Sequence, residues 1–102
     1  MGEKKPLKHF IKKLKEKYKD ARVYLFGSRA RGDELKGSDY DLIIISEKFG
    51  KKNFVERMIT MQFLWEGAEL LEALCYTPEE FERMMKSINI VSHSMKYAKQ
   101  VL

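Results

Sequence analysis

The chain has 102 residues and a mass of 12.1 kDa, the size of one compact domain with a single core. Hydrophobic residues make up 44% of it and charged residues 34%, a composition that excludes a disordered tail. One cysteine excludes an internal disulfide, and the longest aliphatic run, residues 42 to 45, is far shorter than the ~20 residues of a membrane span. We expect one soluble, cytoplasmic domain over residues 1 to 102.

The net charge of +5 is concentrated near the N-terminus, where residues 1 to 22 hold nine basic and three acidic residues. Apolar residues recur there at helical spacing: Leu7, Phe10, Ile11, Leu14 and Tyr18. With Pro6 suited to a first turn, residues 6 to 19 are predicted to form an amphipathic helix. Its lysines could attract nucleic acid, but no exposed aromatic residues alternate with them for base stacking, so we favour a solvated helix face.

Two predicted strands follow this helix. Residues 22 to 26 are rich in β-branched and aromatic side chains, and Gly27 ends the segment. A short helical turn is expected directly after Gly27. Residues 40 to 46 contain four consecutive aliphatic residues, which indicates a strand buried on both faces.

The second half of the chain is predicted to hold three helices and one strand. Residues 53 to 65 carry a wide apolar pattern that indicates a largely buried helix, and residues 70 to 76 form the third strand. Two further helices are predicted, one starting at Thr77 and one over residues 89 to 102. The order α-β-α-β-α-β-α-α predicts an α+β, or mixed α/β, fold with a small mixed sheet flanked by helices.

Two of these helices carry start signals. Asn53 is a suitable N-cap for the helix over residues 53 to 65. Thr77 caps the next helix, Pro78 takes its first turn and Glu80 stands three residues after the cap.

The segment GSRARGDELKGSDYDL, residues 27 to 42, concentrates turn-forming and charged residues between the first two strands. Gly27 permits a sharp turn and lets a ligand approach the backbone amides. Ser28 stands where a helical turn begins, and Arg29 and Arg31 are close by, which suits the binding of phosphate oxygens. A plain structural turn uses the same Gly-Ser pair, so these residues alone leave both interpretations open.

Asp39 and Asp41 stand two positions apart at the start of the second strand, so their carboxylates project from one face. Two like charges side by side repel each other, and a divalent cation such as Mg²⁺ relieves that repulsion. Alternatively, Ser38 and Asp39 only close the loop through side-chain to backbone hydrogen bonds while Asp41 faces water.

Taken together, Gly27-Ser28, Arg31-Gly32 and residues 38 to 42 resemble the signature of the DNA polymerase beta-like nucleotidyltransferase superfamily. The fuller segment is similar to that of the minimal nucleotidyltransferases, small proteins that consist of little more than the catalytic core. Residues 75 to 81 extend the resemblance, which covers roughly residues 7 to 86, with the motif itself in residues 22 to 46.

The resemblance implies roles for particular residues. Those that would contact the phosphates of ATP or another NTP are Gly27, Ser28, Arg31 and Ser38, with Arg29 a further candidate. Asp39, Asp41 and a third carboxylate would be catalytic and would hold Mg²⁺, as two ions in the family's mechanism. Glu69 and Glu72 both lie near the third strand. We choose Glu72 because it stands inside the apolar run, where the family's strand presents its acid.

The resemblance also implies a function. The chain would transfer a nucleoside monophosphate, with AMP preferred, from an NTP to a hydroxyl group on a partner protein. The implied partner is a HEPN-domain toxin, for which the chain would be the antitoxin, and a homodimer is a further expectation. A small-molecule acceptor stays open. So does a non-catalytic, nucleotide-binding antitoxin that acts by contact through residues 32 to 38 and the methionines Met84, Met85 and Met95, although such methionines commonly fill cores.

Overall fold

The computed structural model describes residues 5 to 27, 30, 39 to 87, 92 and 95 to 102, which fold around one four-stranded sheet. The elements in chain order are α1 (Lys5–Lys17), β1 (Arg22–Phe26), β2 (Tyr40–Ile45), a 3₁₀ helix (Glu47–Lys51), α2 (Phe54–Leu64), β3 (Leu71–Tyr76), α3 (Pro78–Met85), a second 3₁₀ helix (Met95–Tyr97) and β4 (Lys99–Gln100). The predicted mixed α/β fold is confirmed. Over the described ranges, no helix is both long enough and apolar enough to span a membrane.

The sheet has the strand order β3-β2-β1-β4 and places β2 at its centre. β2 runs antiparallel to β1 and parallel to β3, and α2 makes the crossover between the two parallel strands. Alternate residues of β2 enter two different clusters: Leu42 and Ile44 pack beneath α1 and α2, whereas Ile43 and Ile45 pack beneath α3. The predicted burial of β2 on both faces is therefore confirmed.

The larger cluster lies between the sheet, α1 and α2. Phe10 and Leu14 of α1 are almost fully buried in it, and each stabilises the fold by about 1.5–3 kcal/mol. Trp65 closes one end of this cluster, with its ring centroid 5.7 Å from that of Phe10 and 5.0 Å from that of Tyr40. Tyr40 begins β2, so the indole supports the strand that carries Asp41.

The predicted starts of α2 and α3 are confirmed. Asn53 and Glu56 form a capping box at α2, and Thr77 and Glu80 form one at α3. Each box satisfies backbone N–H groups that have no partner inside the helix, so two local sequence signals fix where these helices begin.

Two predictions about the elements are wrong. The helix predicted over residues 89 to 102 is wrong for residues 95 to 102, which form a 3₁₀ turn and the strand β4; Ser92 is helical, and residues 89 to 91, 93 and 94 lie outside the described residues. β4 pairs antiparallel with β1, and the Val101 N–H and the Leu102 carbonyl also bond to the backbone of Val23. These bonds satisfy the backbone N–H and C=O groups on the outer edge of β1. The segment therefore forms a strand although its apolar residues have helical spacing.

The second error concerns α2, which was predicted to be largely buried. Met61 and Leu64 are buried, but the outer face of the helix exposes large apolar side chains, including 84% of Phe63. Of the three methionines in the contact hypothesis, Met84 and Met95 pack against the cluster beneath α3, whereas Met85 is 39% exposed.

Candidate active site

Three acids predicted from the sequence lie where the parallel strands β2 and β3 begin. Asp41 is the second residue of β2 and pairs in register with Glu72, the second residue of β3. Asp39 directly precedes β2 and is exposed. Because side chains alternate along a strand, Asp41 and Glu72 project from the face that α3 also covers.

The Asp41 carboxyl is half-buried in surroundings that disfavour its negative charge. Burial, then a hydrogen bond with Glu72 and the charges of Glu72 and Asp39, raise the pKa of Asp41 from its ordinary 3.8 to about 6. The Asp41 and Glu72 side chains are therefore in direct contact, and the protonated Asp41 carboxyl donates to Glu72. Near neutral pH the pair carries repulsive charge that a cation would relieve.

Gly27 completes this corner of the sheet. It follows Phe26, which pairs with Asp41, and its φ of +70° lies in the left-handed region that only glycine adopts readily. A Cβ at Gly27 would stand 2.6 Å from Asp41 Oδ2. The glycine is thus required both by the turn and by the carboxylate beside it.

The remaining predicted site residues have different positions. Most of the predicted phosphate contacts lie outside the described residues, namely Ser28, Arg31, Ser38 and the further candidate Arg29. Most of the helical turn expected after Gly27 also lies outside them. Glu69, the alternative third acid, lies in the loop before β3, and its backbone carbonyl accepts a hydrogen bond of 2.8 Å from the Trp65 indole. The structure pairs Glu72 with Asp41, whereas Glu69 precedes the paired strand.

The two facing carboxylates fit a divalent cation that also binds substrate. No group of three acids, histidines or cysteines within the described ranges is arranged to hold a metal ion as it stands. Mg²⁺ does not need such a cage, because it is usually held by one or two carboxylates together with substrate phosphates and water. Asp41 and Glu72 are in contact and partly exposed, so they match that donor set, with Asp39 as a further oxygen donor nearby.

One supporting residue was not found from the sequence. Gln62 Nε2 donates a hydrogen bond of 2.8 Å to the carbonyl of Leu71, the residue before Glu72. This contact ties the C-terminal half of α2 to the start of β3. A polar residue inside an otherwise apolar helical pattern was the available signal, but its partner depends on the crossover geometry.

The basic face of α1 does not belong to this site. α1 packs against the sheet face formed by Leu42 and Ile44, whereas Asp41 projects from the other face. Lys8, Lys12 and Lys15 are exposed on that helix. Their charges therefore lie across the sheet from the acids, which agrees with a solvated helix face.

Substitution of Gly27 should test the close approach to Asp41. We expect Gly27→Ala to lower the free energy of unfolding by about 1–3 kcal/mol, from the left-handed backbone and the displaced carboxylate. Gly50→Ala is the matched control, because its Cβ would meet Thr77 Cγ2 at an ordinary 3.7 Å. Urea unfolding of both variants is the measurement, and equal effects at the two positions would contradict the prediction.

The raised pKa of Asp41 predicts a pH-dependent stability. The folded chain binds this proton more tightly than the unfolded chain, so the stabilisation is complete below about pH 4 and is lost as the pH rises through about 6. Asp41→Asn should therefore stabilise the metal-free chain at pH 8 by about 1–2 kcal/mol, since partial exposure reduces the ~3 kcal/mol of a two-unit shift. Unfolding at pH 8 and pH 3.5 is the measurement. An equal difference in the free energy of unfolding between the wild type and Asp41→Asn at both pH values would contradict the prediction.

Comparison with known proteins identifies the family. Residues 7–97 match the sequence model of the nucleotidyltransferase domain. The chain belongs to that family. The acids and the glycine described above lie within the matched residues, and the resemblance seen in residues 27 to 42 is confirmed at the level of the family.

Individual relatives agree with this nucleotidyltransferase assignment. Two proteins of Methanocaldococcus jannaschii, each named "Putative protein adenylyltransferase", are similar to the chain. One is 32% identical over 81% of this chain and 59% of its own length, and the other is 43% identical over 46% of this chain and 49% of its own. The matches therefore span only about half to three fifths of these relatives.

A solved structure shares the fold. The chain is similar to the crystal structure of "a putative nucleotidyltransferase" from Sulfolobus solfataricus, with a TM-score of 0.62 and 28% sequence identity. The similarity covers 78% of this chain and 70% of the other.

Proposed function

We propose that this nucleotidyltransferase domain transfers AMP from ATP to a hydroxyl group on a partner protein, with Mg²⁺ as its metal. The observation that carries the proposal is the contact between Asp41 and Glu72 beside the left-handed Gly27, at the start of two parallel strands. The names of the two relatives support the choice of AMP and of a protein acceptor. Transfer of another nucleotide would leave the same site chemistry in place.

Each residue of the candidate site has a proposed role in binding the metal or the nucleotide. Asp41 and Glu72 would hold Mg²⁺, and Asp39 would add a third carboxylate at the exposed rim. When bound, Mg²⁺ supplies positive charge that orients the triphosphate and stabilises the leaving pyrophosphate. Gly27 would keep space for the phosphates next to the acids, and most of the rate enhancement would come from positioning and charge stabilisation.

Ser28, Arg31 and Ser38 are proposed as phosphate contacts. A hydroxyl or a guanidinium beside a glycine turn is suited to phosphate oxygens. Their role rests on the motif alone.

A HEPN-domain toxin is the proposed acceptor, which would make the chain an antitoxin. This step rests on the resemblance to the minimal nucleotidyltransferases. The chain would modify a hydroxyl-bearing side chain of the toxin, and the added AMP would carry negative charge onto that surface.

The test is transfer of label from α-phosphate-labelled nucleotides. Purified chain is incubated with each of the four labelled NTPs, Mg²⁺ and a lysate of its own host, and the proteins are then separated by electrophoresis. We expect labelling of one protein band with ATP, strongest with Mg²⁺ and absent with EDTA. Metal-dependent nucleotide binding without any labelled product would contradict transfer and favour an antitoxin that acts by contact.

A further inference from the structure

Glu72 stands near the end of a strand that has a neighbouring strand on one side only. β3 is an outer strand of the sheet, and Glu72 is its second residue. The inner edge of β3 is bonded to β2, beginning with the Tyr40 N–H, which donates to the Leu70 carbonyl at 2.9 Å. Strand ends open more easily than strand centres, because fewer contacts hold them. The position of Glu72 opposite Asp41 therefore depends on the contacts that hold the outer edge of β3.

Side chains of α2 contact that outer edge near both ends of β3. Arg57 Nη1 donates to the Cys75 carbonyl at 3.0 Å, near the C-terminal end of the strand. Gln62 Nε2 donates to the Leu71 carbonyl at 2.8 Å, at the N-terminal end that carries Glu72. Both carbonyls thus gain a donor that no neighbouring strand supplies.

The turn between α2 and β3 is attached to the same end of the helix. Trp65, which follows α2, donates from its indole Nε1 to the Glu69 carbonyl at 2.8 Å. Gly67 lies directly against the indole, since a Cβ at that position would stand 2.6 Å from Trp65 Cζ2. The ring also packs against Tyr40, with 5.0 Å between the ring centroids. The C-terminal end of α2 therefore contacts the start of β2 as well as the turn that leads into β3.

The hydrogen bond from Gln62 acts on the backbone next to Glu72. The Leu71 carbonyl belongs to the same planar peptide unit as the nitrogen and Cα of Glu72, so the unit moves as one body. Gln62 is exposed, and its hydrogen bond contributes only modestly to the stability of the whole chain. Its effect on local geometry is larger, because a displacement of about 1 Å in a reacting group can reduce a rate 100-fold.

We propose that Gln62 is a positioning residue for the candidate metal site. Its hydrogen bond holds the peptide unit before Glu72 and keeps the Glu72 carboxylate opposite Asp41, where the two carboxylates can share one divalent cation. The Trp65 indole is a second attachment, which holds the turn before β3. Gln62 acts through the backbone, because α2 covers the sheet face opposite to Asp41. The metal-binding part of this proposal rests on the proposed function, whereas the attachment of β3 does not.

Amide hydrogen exchange followed by NMR tests the attachment. Gln62→Met keeps the length of the side chain and removes its donor, so we expect the Tyr40 N–H to exchange about 5- to 10-fold faster in this variant. The Ser46 N–H donates to the Tyr76 carbonyl at 3.0 Å at the other end of the same two strands, and it is the internal control whose exchange should not change. Gln62→Arg should restore slow exchange of the Tyr40 N–H, because a guanidinium can also donate to the Leu71 carbonyl.

Mn²⁺ binding tests the consequence for the site. Mn²⁺ accepts the same oxygen ligands as Mg²⁺, and electron paramagnetic resonance measures its free concentration. We expect Gln62→Met to bind Mn²⁺ roughly tenfold more weakly than the wild type, as is usual when a residue that orients a metal ligand is lost. Trp65→Phe keeps an aromatic ring, loses the N–H donor and should weaken binding in the same direction. Asn53→Ala is the matched control, because it removes the capping hydrogen bond at the other end of α2 and should keep Mn²⁺ affinity within about twofold.

Three results would overturn the proposal. Unchanged exchange of the Tyr40 N–H in Gln62→Met would mean that the hydrogen bond does not hold the start of β3. Faster exchange with unchanged Mn²⁺ affinity would mean that the position of Glu72 does not limit metal binding. An equal loss of Mn²⁺ affinity in Asn53→Ala would make Gln62 a residue that only stabilises the helix. A wild-type chain that binds no Mn²⁺ would instead contradict the proposed metal site, and the exchange of the Tyr40 N–H would still decide whether Gln62 holds β3.

Discussion

Asp41→Asn is expected to reduce nucleotidyl transfer at least about 1,000-fold while the chain stays folded. Asp41 is the least exposed of the three acids and contacts Glu72, so its amide analogue keeps the shape of the site and removes one negative charge from the metal-binding pair. A metal ion contributes several kcal/mol of charge stabilisation to phosphoryl transfer, and about 4 kcal/mol corresponds to that factor. Initial rates of AMP incorporation at saturating ATP and Mg²⁺ are the measurement.

Stability separates this loss from misfolding. In the wild type, Mg²⁺ should raise the melting temperature, because a ligand that binds only the folded chain stabilises it. In Asp41→Asn the Mg²⁺-dependent rise should be largely absent, although the metal-free variant melts higher than the metal-free wild type at pH 8. Glu69→Gln is the matched control, because Glu69 lies in the loop before β3, and it should retain activity within about threefold. Full activity of Asp41→Asn would remove Asp41 from the proposed mechanism.

Arg57→Ala is expected to have the largest effect on stability. Arg57 is 5% exposed and links four segments of the chain. Its Nη1 donates to Glu80 at 2.6 Å and to the Cys75 carbonyl at 3.0 Å, its Nη2 donates to Glu80 at 3.1 Å, and its Nε donates to the Lys52 carbonyl at 2.9 Å. Removal of the guanidinium leaves the buried Cys75 carbonyl, and the partly buried Lys52 carbonyl and Glu80 carboxylate, without their donor. We expect a loss of about 3–5 kcal/mol, or roughly 12–25 °C in melting temperature.

A matched control for Arg57→Ala lies on α3. Arg83 pairs with Glu79 at 3.1 Å, but both side chains are exposed, so Arg83→Ala should change stability by less than about 1 kcal/mol. The hydrogen bond from Arg57 lowers the pKa of Glu80 below its ordinary 4.5, so the ion pair's contribution is present above that pH and is lost as the pH falls further. The difference between wild type and Arg57→Ala should therefore narrow in acid. Similar losses for the two arginine variants at pH 7 would contradict this account.

Local sequence signals pointed to several residues that the structure brings together in the candidate site. Gly27, Asp39 and Asp41 were found from their spacing around a strand, because that spacing by itself determines which side chains share a face. Glu72 was chosen over Glu69 by its place in the apolar run and by the family resemblance, and the structure pairs it with Asp41. The roles of Ser28, Arg31 and Ser38 stay predictions.

Contacts between distant segments were beyond these signals. Arg57 contacts Cys75 and Glu80, which are 18 and 23 residues further along the chain. Nothing in the sequence of α2 indicates these partners. Gln62 likewise appeared as one polar residue in an apolar pattern. Arg57 and Gln62 bond to the carbonyls of Cys75 and Leu71 because the crossover connection places α2 along the edge of β3. Only the tertiary structure shows this placement.

The sequence by itself determined the class of fold, the strands β1 to β3, the starts of α2 and α3, and the acidic motif. These features depend on hydrophobic period, capping residues and turn residues, which act within a few positions along the chain. The tertiary structure decided that the segment after residue 94 pairs with β1 as β4, because an open sheet edge takes up a nearby strand whatever the helical spacing of its residues. It also decided that Val55, Ile59 and Phe63 of α2 face outward, since the wide apolar pattern of residues 53 to 65 covers more of the helix surface than one sheet can bury.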